Sequence, residues 1–265
     1  MKVGYVQFEP IFGEKERNIE TILRLLDLGV KQEADLLVLP ELCNTGYVFR
    51  SRDEVENLAE EIPEGGTTEA LIKFAEKGNV SIVAGLCEKE DGRYFNSAVL
   101  VGPKGFIATY RKVHLFHREK LWFSRGDTSF KVHGILKAKV GMMICFDWFF
   151  PEVTRILALE GAHIICHPAN LVLPYCQKSL LGAAVQNRVF IITANRTGVE
   201  RGVKFTGRSQ ILSPEMKILA KSGKKTEEVK VVQIDPTTAE NKRITEYNDL
   251  REDRRIDLYH RLINK

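Results

Sequence analysis

Two stretches of this chain repeat one order of elements, and that repetition constrains the fold more tightly than anything else in the sequence. Residues 2–8, KVGYVQF, alternate loosely and predict a strand. Ile19, Ile22, Leu23, Leu26 and Val30 then share one face at helical spacing, predicting a helix over 14–32. Asp35 to Leu39 predicts a short apolar strand that stops at Pro40 and delivers Glu41 at its carboxyl end, where open α/β sheets place their ligands. In the second stretch, Val140 to Ile144 predicts a buried strand, and Pro151 with Glu152 opens a helix. That helix carries Val153, Ile156 and Leu157 on one face and stops at Gly161, before a buried strand in AHIICHP. Strand, helix, strand thus occurs over 2–41 and again over 139–167. This predicts an α/β fold of two related halves packed together.

Between and beyond these units the chain is punctuated by turns. CNTGYVFRSRD, from Cys43, predicts a pocket-lining loop with two exposed aromatics, Tyr47 and Phe49. Helices are expected over 53–61 and 67–77, the latter with Thr67 or Thr68 near its N-cap and Gly78 just past its end. Val80 to Cys87 predicts a strand, Asp91-Gly92-Arg93 a turn, and Asn96–Val101 with Phe106–Arg111 a hairpin through Pro103-Lys104-Gly105. A helix over 175–188 and strands at 190–195, 207–212 and 229–235 follow. From Asn241 the tail alternates Arg with Asp or Glu among Tyr247, Leu250, Leu258 and Leu262, which fits a solvated helix or arm and equally an arm across a dimer interface. No linker separates domains, so one domain, 1–240, is expected, followed by a tail, 241–265.

Composition removes several functions. The 39 basic and 35 acidic residues are interleaved, without the dense basic block that nucleic acid or a membrane surface would call for. Five cysteines, an odd number with no CxxC pair, do not form a disulfide framework. MKVGYVQFEP lacks the apolar core of a signal peptide, and no run approaches the ~18 apolar residues of a membrane span. These features lead to the expectation of a soluble, cytoplasmic protein with reduced thiols. A phosphate-binding GxxxxGK[ST], a dinucleotide GxGxxG and a GxSxG elbow are absent.

Three polar residues directly follow strand-like runs: Glu41 after DLLVLP, Lys112 after FIATYR and Cys145 after VGMMI. On its own Cys145 is equally well read as a small buried hydrophobe, because a thiol needs a base within reach to act as a nucleophile. If the strands lie side by side, their ends gather a carboxylate, an ammonium and a thiol. The carboxylate can then take the thiol proton, its pKa raised by burial, and the ammonium can stabilise charge developing on a carbonyl oxygen. A metal centre is a competing reading, since His114 and His117 form HxxH and Cys166 with His167 could add ligands. HxxH without HExxH or paired CxxC is weak evidence, and two histidines in a substrate-lining loop is the simpler reading.

The motifs LVLPEL around Glu41, YRKVHLF around Lys112 and CFDWFFPE from Cys145 together resemble the nitrilase superfamily of carbon–nitrogen hydrolases, with its Glu-Lys-Cys triad in this order. The resemblance spans residues 1 to about 240 and implies a four-layer αββα sandwich, no metal or organic cofactor, and association into homodimers or larger assemblies. It implies that Cys145 attacks an amide or nitrile carbon and forms a thioester. Glu41 would move the protons, and Lys112 and the backbone N–H of Phe146 would hold the oxyanion. It also implies that Glu119, in FHREKLWF, orients lysine and substrate, although a charged HREK run alone would fit a surface. Asn170, Trp148 and Tyr47 are the candidate substrate contacts. A catalytically silent relative would have lost a triad member, and none is lost. Phe146-Asp147-Trp148 after the nucleophile resembles the amidase and N-carbamoyl amine hydrolase branches more than the Trp-Glu of nitrile-cleaving ones. A small amide is therefore the expected substrate and a small nitrile the nearest alternative. Leu171 to Tyr175 offers no arginine to grip the carboxylate of an N-carbamoyl amino acid, leaving Arg188 or Arg196 as the means of holding one.

Overall fold

A computed structural model describes residues 1–262. β1 (Lys2–Gln7), α1 (Lys15–Val30) and β2 (Leu36–Val38) form the first strand–helix–strand unit. α2 (Arg52–Leu58) and α3 (Gly66–Gly78) then cross to β3 (Ser81–Glu90), so β1, β2 and β3 pair in parallel. β4 (Arg93–Gly102) and β5 (Gly105–Arg111) continue the sheet as antiparallel hairpins. After a single-turn α4 (Glu119–Trp122), the second half runs β6 (Val132–Ile135), β7 (Ala138–Met142), a 3-10 turn at Cys145–Phe149, α5 (Pro151–Leu159), β8 (Ile164–Ala169), α6 (Cys176–Asn187) and β9 (Phe190–Asn195). β7, β8 and β9 are again parallel. A small hairpin, β10 (Val199–Glu200) with β11 (Val203–Lys204), precedes β12 (Gln210–Leu212), β13 (Ile218–Lys221) and β14 (Glu228–Gln233).

The two sheets have the orders β14-β1-β2-β3-β4-β5 and β13-β12-β9-β8-β7-β6. Alternation along each strand sorts side chains between layers. Val3, Tyr5, Leu36 and Val38 join Val140, Ile164 and Ile191 in a core that includes Leu157 and Leu180 of α5 and α6. Val6, Leu37 and Leu39 turn the other way and pack with Ile22, Leu26 and Leu71 from α1 and α3. The result is the expected αββα sandwich.

Several local expectations shift. α3 is not capped by Thr67 or Thr68: Gly65 holds the N-cap position, and the Glu60 carboxylate reaches back to accept from Thr67 N–H at 2.8 Å. At the other end, Asn79, with φ 49°, ends the helix one residue beyond Gly78. The strand expected over 207–212 begins only at Gln210, because Gly207 has a positive φ and its carbonyl is taken by Gln177 and Asn195. β6 and β13, sheet-edge strands, carry no clear period in the sequence. Phe49 is buried against Phe12 and Phe123 rather than exposed. The tail is not a regular helix; among the described residues it makes 3-10 turns at Ile256–Leu258 and His260–Leu262, and its last three residues, 263–265, lie outside them. It is fastened by Lys242 Nζ, which donates to the Asn187 and Arg188 carbonyls at 3.0 and 2.9 Å.

Candidate active site

Glu41 stands just beyond β2, Lys112 follows β5 directly, and Cys145 stands just beyond β7. Two glycines allow the first two to sit where they do. A Cβ on Gly85 in β3 would come within 2.4 Å of Glu41 Cα, and one on Gly126 within 2.0 Å of the Arg111 carbonyl oxygen. The backbones instead bond at these crossings: Gly85 N–H donates to Pro40 O at 3.1 Å and Gly126 N–H to Lys112 O at 2.8 Å. Neither glycine is distinguishable as special from sequence spacing.

Lys112 Nζ lies between two carboxylates, 2.6 Å from Glu41 Oε1 and 2.8 Å from Glu119 Oε1, all of them buried. Glu119 is thereby placed in the site and not on a charged surface. Its carboxylate also accepts from Tyr47 Oη at 2.6 Å and from Phe116 N–H at 3.0 Å. Glu41 is different: Asn96 Nδ2, at 2.7 Å, shares Oε1 with Lys112, while Oε2 is buried without a partner among the described residues. Burial pushes the Glu41 pKa up, against the pull of Lys112 and Asn96. For Lys112 burial acts downward, but Glu119 and Glu41 outweigh it and the pKa rises. Burial, Glu41 and Glu119 hold the Cys145 thiol well above its ordinary pKa against the opposing Lys112. A resting thiol follows, since a thiolate would be a third anion around one cation.

The backbone of Cys145 is in the left-handed region, with φ 38°. Two buried residues brace it. Asp147 accepts from Ile144 N–H (2.9 Å), Tyr110 Oη (2.7 Å) and His114 N–H (3.1 Å), tying the loop of the cysteine to that of the lysine. His167 Nε2 donates to the Cys145 carbonyl at 3.0 Å, leaving Nδ1 to accept from Thr193 Oγ1 at 3.1 Å. Burial lowers the His167 pKa from 6.5 to about 4. The unfolded chain therefore takes up this proton first, so its stabilisation is complete above pH 6.5 and is lost as pH falls toward 4. Denaturant titrations should show about 3 kcal/mol of acid sensitivity in this window that His167→Gln lacks. Equal acid sensitivity in both proteins would refute the assignment.

Asn170 bridges the halves, its Nδ2 donating to the Glu41 carbonyl at 2.8 Å and its Oδ1 without a partner among the described residues. It lines a pocket at Cys145 with Phe116, Phe146, Trp148 and Leu171. Phe146 is the second residue of the 3-10 turn, within its first turn, where an N–H has no partner inside the helix. Tyr47 is near but commits its hydroxyl to Glu119. The residues of the competing metal reading are dispersed: His114 is bonded to Asp147 and stacked on Phe150, His117 is exposed, and Cys166 is inside β8. Among the described residues no three His, Cys, Asp or Glu are grouped to hold a metal ion. Arg196 is buried against Glu200 and Phe205, and Arg188 donates to the Asn241 carbonyl, so the guanidinium groups of both are engaged away from this pocket. The sequence does not mark Asn96 or Asp147 as site residues, and it offers His167 only as a possible ligand in the competing metal reading. Asp147 was legible only as a branch marker within CFDWFFPE, and Asn96 left no signal.

The family model described as carbon-nitrogen hydrolase matches residues 2–243. A nitrilase from Pyrococcus abyssi is 49% identical over 98% of this chain and 100% of its own length. A 2-oxoglutaramate amidase from Bacillus subtilis is 32% identical over 97% and 98%. A carbon-nitrogen hydrolase from Helicobacter pylori G27 superposes with a TM-score of 0.90 at 29% identity, covering 100% of this chain and 99% of that one. With the three motifs gathered around one buried ammonium, and with these matches spanning nearly its whole length, this chain belongs to the carbon–nitrogen hydrolases of the nitrilase superfamily.

Proposed function

We propose that this enzyme hydrolyses a small amide through a thioester on Cys145, releasing ammonia. The supporting observation is Glu41 Oε2, a buried carboxylate oxygen with no partner among the described residues, on a group whose pKa burial has raised. It is suited to receive the thiol proton as the sulfur attacks and to return it to departing ammonia. Lys112 has three N–H donors, and the two carboxylates take two of them. The third is available to the substrate oxygen, alongside the Phe146 N–H, as negative charge gathers there. Glu119, already accepting from Lys112, Tyr47 and Phe116, holds the lysine in place. Water activated by Glu41 then cleaves the thioester.

The relatives with amidase activities in their names favour an amide. The relative named as a nitrilase supports a second reading, in which the same groups add sulfur to a nitrile carbon. Ammonia release over short aliphatic and aromatic amides, N-carbamoyl amines and nitriles would separate these. Wild type should turn over the amides, with Cys145→Ala lower by on the order of 10^3-fold or more. Identical behaviour of the two proteins on every compound would sink the proposal.

A further inference from the structure

The pocket at Cys145 is narrow, about 20 Å³, and at Val172 it adjoins a cleft of about 770 Å³. Val172 lines both. The segment between β11 and β12 joins them: Thr206 N–H donates to the Leu171 carbonyl at 2.9 Å, and Phe205 meets the ring of Tyr47 edge-on at 5.9 Å. The pocket admits little more than one water-sized group, so a larger substrate would have to extend toward the adjoining cleft.

The two spaces differ in charge. No charged side chain is among the residues lining the pocket, whereas Lys204, Arg208, Lys224 and Lys225 line the cleft with a single acid, Glu9. Glu9 is partly occupied, accepting from Val199 N–H at 3.1 Å. The acids that follow the lysines are drawn elsewhere, Glu227 to Arg24 and Glu228 to Lys230. Among the described residues none of the four cations forms an ion pair. Arg208 is half-buried, its N–H donating to the Gly223 carbonyl at 3.0 Å, and the Lys224 carbonyl closes over Gly207, where a Cβ would lie 2.4 Å from it. The loop bearing the two lysines is thus docked on the segment bearing the arginine. Unpaired cations in a concave site hold a positive potential that an anion relieves.

We propose that this cleft binds an anionic group, a carboxylate or a phosphate, on the far end of a substrate whose amide lies at Cys145. The inference rests on the amidase reading for the amide end alone. The arginine that the sequence around Asn170 does not supply is provided by Arg208, whose planar fork suits either anion.

Two amides of equal length test it, one ending in a carboxylate and one in a methyl group. Wild type should favour the carboxylate about tenfold or more in kcat/KM, through KM, with the ratio shrinking at high salt. In Arg208→Gln the ratio should fall toward one, and Arg208→Lys should restore part of it. Lys224→Gln with Lys225→Gln should lower it further. In parallel, Cys145→Ala is titrated calorimetrically with the corresponding diacid and with inorganic phosphate, the tighter identifying the anion. Arg208→Gln in that background should weaken the binding. A wild-type ratio near one with neither anion bound overturns the proposal, as does a ratio indifferent to Arg208→Gln and the lysine changes. Absence of hydrolysis of both amides would count against the amidase reading instead, and the titration would then decide the cleft.

Discussion

Glu41→Gln is expected to yield a folded protein whose turnover is lower by on the order of 10^2 to 10^4-fold. Glutamine keeps the shape of the side chain and can present its oxygen to Asn96 and Lys112, which both address Oε1. What disappears is the basic oxygen Oε2. Stability should move by no more than about 1 to 2 kcal/mol, since an unpaired amide N–H replaces a buried anion. A second readout separates a lost base from a damaged site. Glu41 contributes to raising the Cys145 pKa, so without its charge the midpoint of alkylation against pH should move down while turnover vanishes. Activity within tenfold of wild type would mean that the base is elsewhere.

Lys112→Met should act on stability as well as on rate. It removes the cation from between Glu41 and Glu119 and leaves two buried carboxylates facing each other. Breaking a buried charge cluster in this way costs about 3–5 kcal/mol. The penalty depends on pH. Burial already pushes the Glu41 pKa up, and the variant lacks the lysine that opposes this, so it is expected to suffer least below about pH 4 and to lose stability as pH rises through the carboxylate range. Urea unfolding at pH 4.5 and 7.5 should show a larger deficit at the higher pH, and adding Glu119→Gln should recover part of it. A variant as stable as wild type at pH 7.5 would show that the two carboxylates do not share a buried cation.

The sequence exposes the points where strands end better than it exposes what holds those ends. Glu41, Lys112 and Cys145 were legible because each breaks an apolar run at a site-facing edge, and the three runs share one logic. An α/β fold of two related halves was likewise legible from two strand–helix–strand units, and the αββα layering from the family resemblance. By contrast, Gly85 and Gly126 are essential through what they exclude, and the neighbours they make room for are distant in the chain. The cap of α3 comes from Glu60, outside the helix, where local propensity pointed to threonine. Glu119 was ambiguous because a charged run looks the same whether solvated or folded inward. Sequence position offers Arg188 and Arg196 as the arginines for the pocket, while the fold brings Arg208 to the adjoining cleft by pairing β12 with β9.

The Asn170 side chain, bonded to the Glu41 carbonyl, is a strut between two sheets that each carry part of the chemistry. The carboxylate and ammonium project from one slab and the sulfur from the other. The gap between base and nucleophile is therefore set by the thickness of the filling between slabs, the layer of Tyr5, Val38, Met142, Ile164 and their neighbours. Those apolar side chains act as spacers for a proton transfer they never touch. Their combined volume therefore sets distance as well as cohesion, and a single added or missing methylene there is expected to change the rate by displacing one sheet against the other.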